Sequence, residues 1–239
     1  MDGVGKSLCL VPARGGSKRL ERKNVLPFQG KPLIAHTITA ALDADVFDRV
    51  CVSTEDEEIA AVSEEYGAEV PFERPAELAT DTAQVVDVCE HALDYFEEQG
   101  SDVDVLAVLL PTTPLRGADD LRGAGETFKD ADDAEFLMCT TDYVFSPFEA
   151  LEERDGSLHR FWEEASFYAD QSQDRPDLVV DNGAAYIVDV DAFRRERTFY
   201  GSTLTGYHMP LQRSIDVDTH ADFELAECLY ELEHHGGEQ

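Results

Sequence analysis

Five short apolar runs, Leu8 to Val11, Arg49 to Ser53, Val103 to Leu110, Phe136 to Thr140 and Ala185 to Val190, recur along the chain with helical patterns between them. Runs that do not alternate apolar with polar residues suit strands buried on both faces, and alternation with helices implies a mainly parallel, doubly covered sheet. The intervening segments carry their own signals. Pro32 opens a helix at a favoured first-turn position, and Thr54 with Glu57 three residues on reads as a capping box for a helix to about Tyr66. Between Asp81 and Glu98 the apolar residues Val85, Val88, Cys89, Ala92, Leu93 and Phe96 fall on one helical face. Further helices are expected at Ala118 to Phe128 and Ala221 to His235, and further short strands at Ala68 to Pro71 and Ser214 to Val217. The chain reads as one α/β domain over 1–239. Only from Tyr143 to Asp181 does the alternation fail. Phe145, Phe148, Phe161, Trp162, Phe167 and Tyr168 gather there in a polar setting, which marks 143–181 as an insertion forming a substrate wall or a dimer contact.

Composition narrows the possibilities. With 239 residues, 43% of them hydrophobic, the chain can bury a full core. No apolar run approaches the roughly 18 to 20 residues that span a bilayer, and the N-terminus lacks a signal peptide's apolar stretch, so a cytoplasmic protein is expected. Cys9, Cys51, Cys89, Cys139 and Cys228 are scattered without a C-x-x-C pair and read as reduced, structural residues rather than metal ligands. A net charge of −32 excludes nucleic acid and anionic membranes as partners, because either needs a broad basic face. Such acidity resembles that of halophile proteins, in which concentrated salt screens the self-repulsion.

Against that charge, six of the 19 basic residues, Arg14, Lys18, Arg19, Arg22, Lys23 and Lys31, fall within 18 positions. They follow the first strand directly and surround Gly15, Gly16 and Ser17. Glycines there let backbone N–H groups approach a polyphosphate while Arg14, Lys18 and Lys23 neutralise it. The run Gly3-Val-Gly-Lys-Ser7 echoes a Walker A ending, but no strand and no earlier glycine precede it, so it reads as a disordered arm. No G-x-G-x-x-G follows the first strand, which argues against a dinucleotide site.

The run Pro12 to Asn24, then Gly30 to Leu33, Val52 to Thr54, Gly67 to Val70, Arg74 to Leu78, Pro111 to Arg116, Asn182-Gly183 and Ser214 to Thr219 together resemble the acylneuraminate (CMP-sialic acid) cytidylyltransferases and their pseudaminate and legionaminate relatives. The blocks occur in order over most of the chain. The resemblance implies a nucleotide-diphospho-sugar transferase-like (Rossmann-like) fold, CTP and an acidic nine-carbon sugar as substrates, Mg²⁺ as cofactor and a homodimer. By matching position it implies that Arg14, Lys18 and Lys23 hold the triphosphate and that Gly15, Gly16, Ser17 and Asn24 lie against the nucleotide. Arg74 and the backbone near Ala83 would read cytosine. Asp216 and Asp218 would bind Mg²⁺, and their i, i+2 spacing in an extended segment turns both carboxylates to one side. Arg116, Asp174, Asn182 and Tyr186 are the candidate sugar-side groups. Two departures weaken the sugar assignment: Leu110 stands where many sialate enzymes have Gln, and Gln171 and Ser172 occupy the neighbourhood of their carboxylate-binding base. The Arg19-Leu20 pair and the string Ser172 to Asp174 lie closer to the pseudaminate enzymes, whereas Asn182-Gly183 and Ser214 to Thr219 lie closer to the sialate type. A transferase for another sugar such as the eight-carbon acid Kdo, or a catalytically silent nucleotide-binding regulator, stands as the alternative.

Overall fold

Strand β1 (Ser7–Pro12) alternates its side chains between two cores, and that alternation organises the molecule. Leu8 and Leu10 pack on one side with Cys89, Leu93 and Phe96, whereas Cys9 and Val11 pack on the other with Ile34, Ile38 and Leu121. All four are at most 1% exposed, so β1 lies in the interior of a sheet covered on both faces. The computed structural model describes residues 6–162 and 176–235. Gly3 to Gly5 of the N-terminal arm, and Phe167, Tyr168, Gln171, Ser172 and Asp174 of the insertion, lie outside the described residues.

The sheet has six strands: β1, β4 (Arg49–Ser53), β5 (Val105–Val108), β6 (Phe136–Asp142), β9 (Val179–Asp189) and β10 (Leu204–His208), in the spatial order β10-β6-β9-β5-β1-β4. β1 runs parallel to β4 and β5, and β10 runs parallel to β6. β9 is antiparallel to both its neighbours, so the sheet is mixed but mostly parallel. Two small antiparallel pairs complete the strands among the described residues: β2 (Pro27–Phe28) with β3 (Lys31–Pro32), and the hairpin β7 (Leu151–Arg154) with β8 (Ser157–Arg160).

Helices α1 (Leu33–Ala44) and α4 (Ala118–Asp130) contribute to one core, and α3 (Val85–Glu98) with the short helix Val190–Glu196 to the other. A third cluster holds Leu20, Phe28, Leu33, Leu115, Val217 and Ala226. It fastens the loop after β1 to the segment around Val217 and to the C-terminal helix His220–His235, which fixes two chain segments nearly 200 residues apart.

Several expected elements differ. Helix α2 (Glu57–Glu65) is capped by Asp56, whose Oδ1 accepts from the amides of Glu58 and Ile59 at 3.0 Å each, while Thr54 Oγ1 accepts only from the Asp56 amide. Residues 81–84 precede α3 instead of opening it. Ala68 to Pro71 makes a single isolated parallel bridge to β4, between Glu69 and Cys51, and Ser214 to Val217 carries no strand pairing. The short helix Val190–Glu196, the hairpin β7–β8 and the strand β10 had no counterpart in the sequence reading. Cys9, Cys51, Cys89 and Cys139 are buried and burial pushes their thiols up, as expected of reduced core residues; Cys228 is exposed. Among the described residues no helix is long and apolar enough to cross a membrane.

Candidate active site

The loop leaving β1 is held from behind before it offers anything to a ligand. The Ala13 amide bonds Ser53 O at 3.0 Å, the Gly15 amide bonds Glu55 Oε1 at 2.7 Å, and Asn24 Nδ2 bonds Arg14 O at 2.8 Å. A Cβ on Gly15 would lie 2.5 Å from Asp56 Oδ2, so this glycine is needed for contact with the α2 cap. A Cβ on Gly16 would meet nothing within 4 Å, and Gly16 lines an open cleft of about 560 Å³. Arg14, Ser17, Lys18, Arg19, Lys23 and Asn24 form one wall of that cleft, and Leu110 to Thr112, Asp216 and Asp218 form the other. Six of the loop and acid residues singled out in the sequence, Arg14, Lys18, Lys23, Asn24, Asp216 and Asp218, are thus brought to one place.

The cations are paired with the chain's own carboxylates. Arg14 meets Asp81 at 2.9 Å and Lys18 meets the same carboxylate; Arg19 meets Asp218 at 2.6 Å. Lys23 Nζ, only 12% exposed, donates to Asp218 at 2.8 Å and to Val217 O at 2.9 Å. Arg22, counted with the cluster in the sequence, turns away to Asp56 and Glu58. Burial raises the Asp218 carboxyl, but the hydrogen bond and charge of Lys23, with Arg19 behind them, bring it below the usual range. Asp216 is pushed up, chiefly by burial and then by Asp218, against a hydrogen bond from Thr112. Two carboxylates that feel one another beside a cation-lined cleft are a hard-oxygen donor set of the kind Mg²⁺ shares with phosphates. No group of three or more His, Cys, Asp or Glu poised for a metal occurs among the described residues, so the remaining ligands would come from water and substrate.

Arg74 is 4% exposed and donates Nε to Ser53 Oγ at 3.1 Å and Nη2 to Ser53 O; burial pushes its guanidinium down to about 10. Ala83 sits in the turn bonded to Thr80 O. Neither lines the cleft, although Asp81, two residues before Ala83, does.

A second cleft, about 380 Å³, shares Leu110 and Asp216 with the first. Asp181, Asn182, Gly183 and Tyr186 of β9 line it with Thr141 to Val144 and Ser214. Asn182 is buried and structural in its bonds: Nδ2 donates to Ser214 Oγ at 2.9 Å and Oδ1 accepts from Ala184 N. Tyr186 Oη donates to Asp181 Oδ2 at 2.8 Å. Arg116 does not reach this cleft. It is 2% exposed and donates to Thr113 Oγ1 and Thr37 Oγ1 at 2.8 Å each and to Ala184 O, a clamp between α1 and β9 rather than a sugar-side group. Asp81, Asp181 and Tyr200 were missed in the sequence, where each is one more acid or one more aromatic without a motif.

A mostly parallel sheet with a cation-lined loop after its first strand and paired carboxylates across the cleft defines a nucleotidyltransferase. The family model described as cytidylyltransferase matches residues 8–231, and the chain belongs to that family. It is 34% identical to the pseudaminic acid cytidylyltransferase of Campylobacter jejuni subsp. jejuni serotype O:2, over 96% of this chain and 98% of that one. It is 32% identical to the CMP-N,N'-diacetyllegionaminic acid synthase of Legionella pneumophila subsp. pneumophila, over 94% and 96%. The N-acylneuraminate cytidylyltransferase of Escherichia coli O18:K1:H7 is 32% identical over 92% of this chain and 51% of its own length. Among solved structures, a CMP:2-keto-3-deoxy-manno-octonic acid synthetase complexed with CTP superposes with a TM-score of 0.69 at 16% identity, covering 96% of this chain and all of that one. At that identity the likeness shows the fold.

Proposed function

We propose that the chain transfers CMP from CTP to the anomeric hydroxyl of a nonulosonic acid, releasing pyrophosphate, and that it uses Mg²⁺ and works as a homodimer. The observation that carries the reading is the meeting of two clefts at Leu110 and Asp216: one lined with cations for a triphosphate, the other opening on β9 for a sugar. The curated relatives, named for pseudaminic, legionaminic and neuraminic acids, favour nine-carbon sugar acids.

In the reaction the hydroxyl oxygen forms a bond to the α-phosphorus while the bond to the bridging oxygen breaks, pyrophosphate takes the electron pair, and the hydroxyl proton is released. Arg14, Lys18 and Lys23 exchange Asp81 and Asp218 for phosphate oxygens and stabilise the charge that builds on the leaving group. Lys23 is already oriented by Val217 O, so little ordering is lost when substrate arrives. Asp216 stands where the sugar cleft enters the phosphate cleft and positions the incoming hydroxyl. Asp216 and Asp218 would hold Mg²⁺, which supplies charge neutralisation at the phosphates. The exposed apolar side chains Phe145, Leu158 and Phe161 offer the face for a second copy of the chain.

Incubation with CTP, Mg²⁺ and pseudaminic, legionaminic or neuraminic acid, with Kdo alongside, is expected to release pyrophosphate with a nine-carbon acid. Turnover with Kdo alone, or with none of them, overturns the reading.

A further inference from the structure

Asp181 collects three hydrogen bonds at the sugar cleft. Its Oδ1 accepts from the Gly183 amide at 2.9 Å, and its Oδ2 accepts from the hydroxyls of Tyr186 and Tyr200 at 2.8 Å each. A phenol has one proton to donate, and here both phenols spend it on the same carboxylate oxygen. What Tyr186 still presents to the cleft is therefore a lone pair; Tyr200, 64% exposed, does not line the cleft but is held beside Tyr186 by donating to the same Asp181 oxygen. Among the described residues lining this cleft are three carboxylates, Asp142, Asp181 and Asp216, and no cation.

Resting on the function proposed above, we propose that Asp181 is a positioning residue that sets the hydrogen-bonding polarity of the sugar cleft, so that the wall formed with Tyr186 accepts an N–H of the sugar's acylamino group and turns the sugar's own carboxylate away.

The arrangement is stable over the working range of pH. Burial first, then the charge of Asp181, pushes the Tyr186 phenol well above its ordinary value, and the hydrogen bond to Asp181 pushes Tyr200 up to about 12, so both hydroxyls keep the proton they donate. A wall that only accepts discriminates by chemistry and not by size. An amide N–H finds a partner there, whereas an ester oxygen in the same place meets a lone pair and leaves both groups unsatisfied. Relatives whose names carry N-acyl groups act on sugars with such a donor. Thr141, 3% exposed with its Oγ1 unpartnered among the described residues, lines the same cleft and is a further polar group for a sugar hydroxyl.

The test compares the N-acyl sugar accepted by the wild-type enzyme with its isosteric O-acyl analogue, following pyrophosphate release at saturating CTP. Wild-type turnover of a nine-carbon acid establishes the underlying reading before any variant is made, so a failure there is separate from a failure here. In Asp181→Asn the Oδ1 still serves Gly183, and the new amide donates towards the phenols, which frees the Tyr186 proton to point into the cleft. Expected is a rise of about tenfold or more in KM for the N-acyl sugar and loss of the preference over the O-acyl analogue, with KM for CTP and kcat nearly unchanged. Tyr186→Phe, which keeps the ring and removes the acceptor, is expected to lose the same preference, and it serves alone if Asp181→Asn fails to fold. Retention of the preference in the variant tested overturns the inference. So does a parallel rise in KM for sugar and for CTP, which marks a merely structural role.

Discussion

Lys23 is the residue whose surroundings most constrain what it does. At 12% exposure an ammonium group needs partners, and it has Asp218 and the Val217 carbonyl, both on the segment that carries the acid pair. The same bond that satisfies Lys23 also draws the two walls of the phosphate cleft together. Lys18, by contrast, is 80% exposed and shares Asp81 with Arg14, so it moves freely onto a phosphate and is individually more dispensable. Lys23→Ala is expected to lower kcat/KM for CTP by a factor on the order of 10² to 10³, the usual cost of removing one preorganised group aimed at developing charge. Lys18→Ala is expected to lose about tenfold, mainly in KM, as a group that adds binding without orientation does. Steady-state kinetics in CTP at saturating sugar measures both. Equal losses in the two variants would show that preorganisation by Val217 and Asp218 contributes nothing.

At the scale of elements, the loop after β1 and the cap of α2 share one tight contact. Asp56 caps α2, holds Arg22, and lies so near Gly15 that a methyl group there would sit 2.5 Å from its Oδ2 and 3.1 Å from its Cβ and Cγ. Asp56 cannot retreat without surrendering the cap. Gly15→Ala is therefore expected to destabilise the fold by about 1 to 3 kcal/mol and to raise KM for CTP, whereas Gly16→Ala, with open space around it, spares stability and loses only nucleotide affinity. Thermal melts beside CTP titrations separate the two, and a Gly15→Ala melt like that of the wild type would show that the contact is soft. The same elements show what was legible in advance. β1 was readable because four successive apolar residues are buried on two faces, and α3 because its apolar residues repeat at helical spacing. β10 was not, since its five residues alternate exposed and half-buried and it lies at the sheet edge, where pairing leaves little trace in composition. Ser214 to Val217 has a strand's composition but fixes its backbone through Thr112 O and the third core cluster instead of a sheet neighbour. The cation cluster was legible as charge, but its internal carboxylate partners were not, because Asp81 is one acid among 51 Asp and Glu. Arg116 is a candidate site group through the block Pro111 to Arg116 that carries the family resemblance, which says nothing of burial; only the fold shows it sealed between Thr37, Thr113 and Ala184.

For the whole molecule, the decisive quantity is the excess of 51 acids over 19 bases, a net charge of −32. Many of the bases are already engaged: Arg49, Arg194, Arg195 and Arg197 make surface pairs with Glu69, Asp94, Glu135 and Glu90, so the unpaired charge that remains is almost all negative. Surface pairs of this kind contribute roughly 0 to 1 kcal/mol each and weaken as salt rises. The repulsion among unpaired acids weakens as well, and because it acts over the whole surface, it outweighs the pairs. Between roughly 0.1 and 1 M KCl the screening length falls from about 10 Å to about 3 Å, shorter than most separations between acids on a protein of this size. Added salt therefore relieves a cost of the compact state that the unfolded chain, being expanded, bears less. The same charge would oppose the proposed meeting of two copies through the exposed apolar residues Phe145, Leu158 and Phe161, where apolar burial would favour association and long-range repulsion resist it. Both Tm and the dimer fraction from sedimentation velocity are accordingly expected to rise together with KCl over that range. A Tm that falls with salt would show that the surface ion pairs, not the excess acids, dominate the energetics. A single monomeric species at all salt concentrations would remove the dimer from the proposal while leaving the chemistry of the clefts untouched.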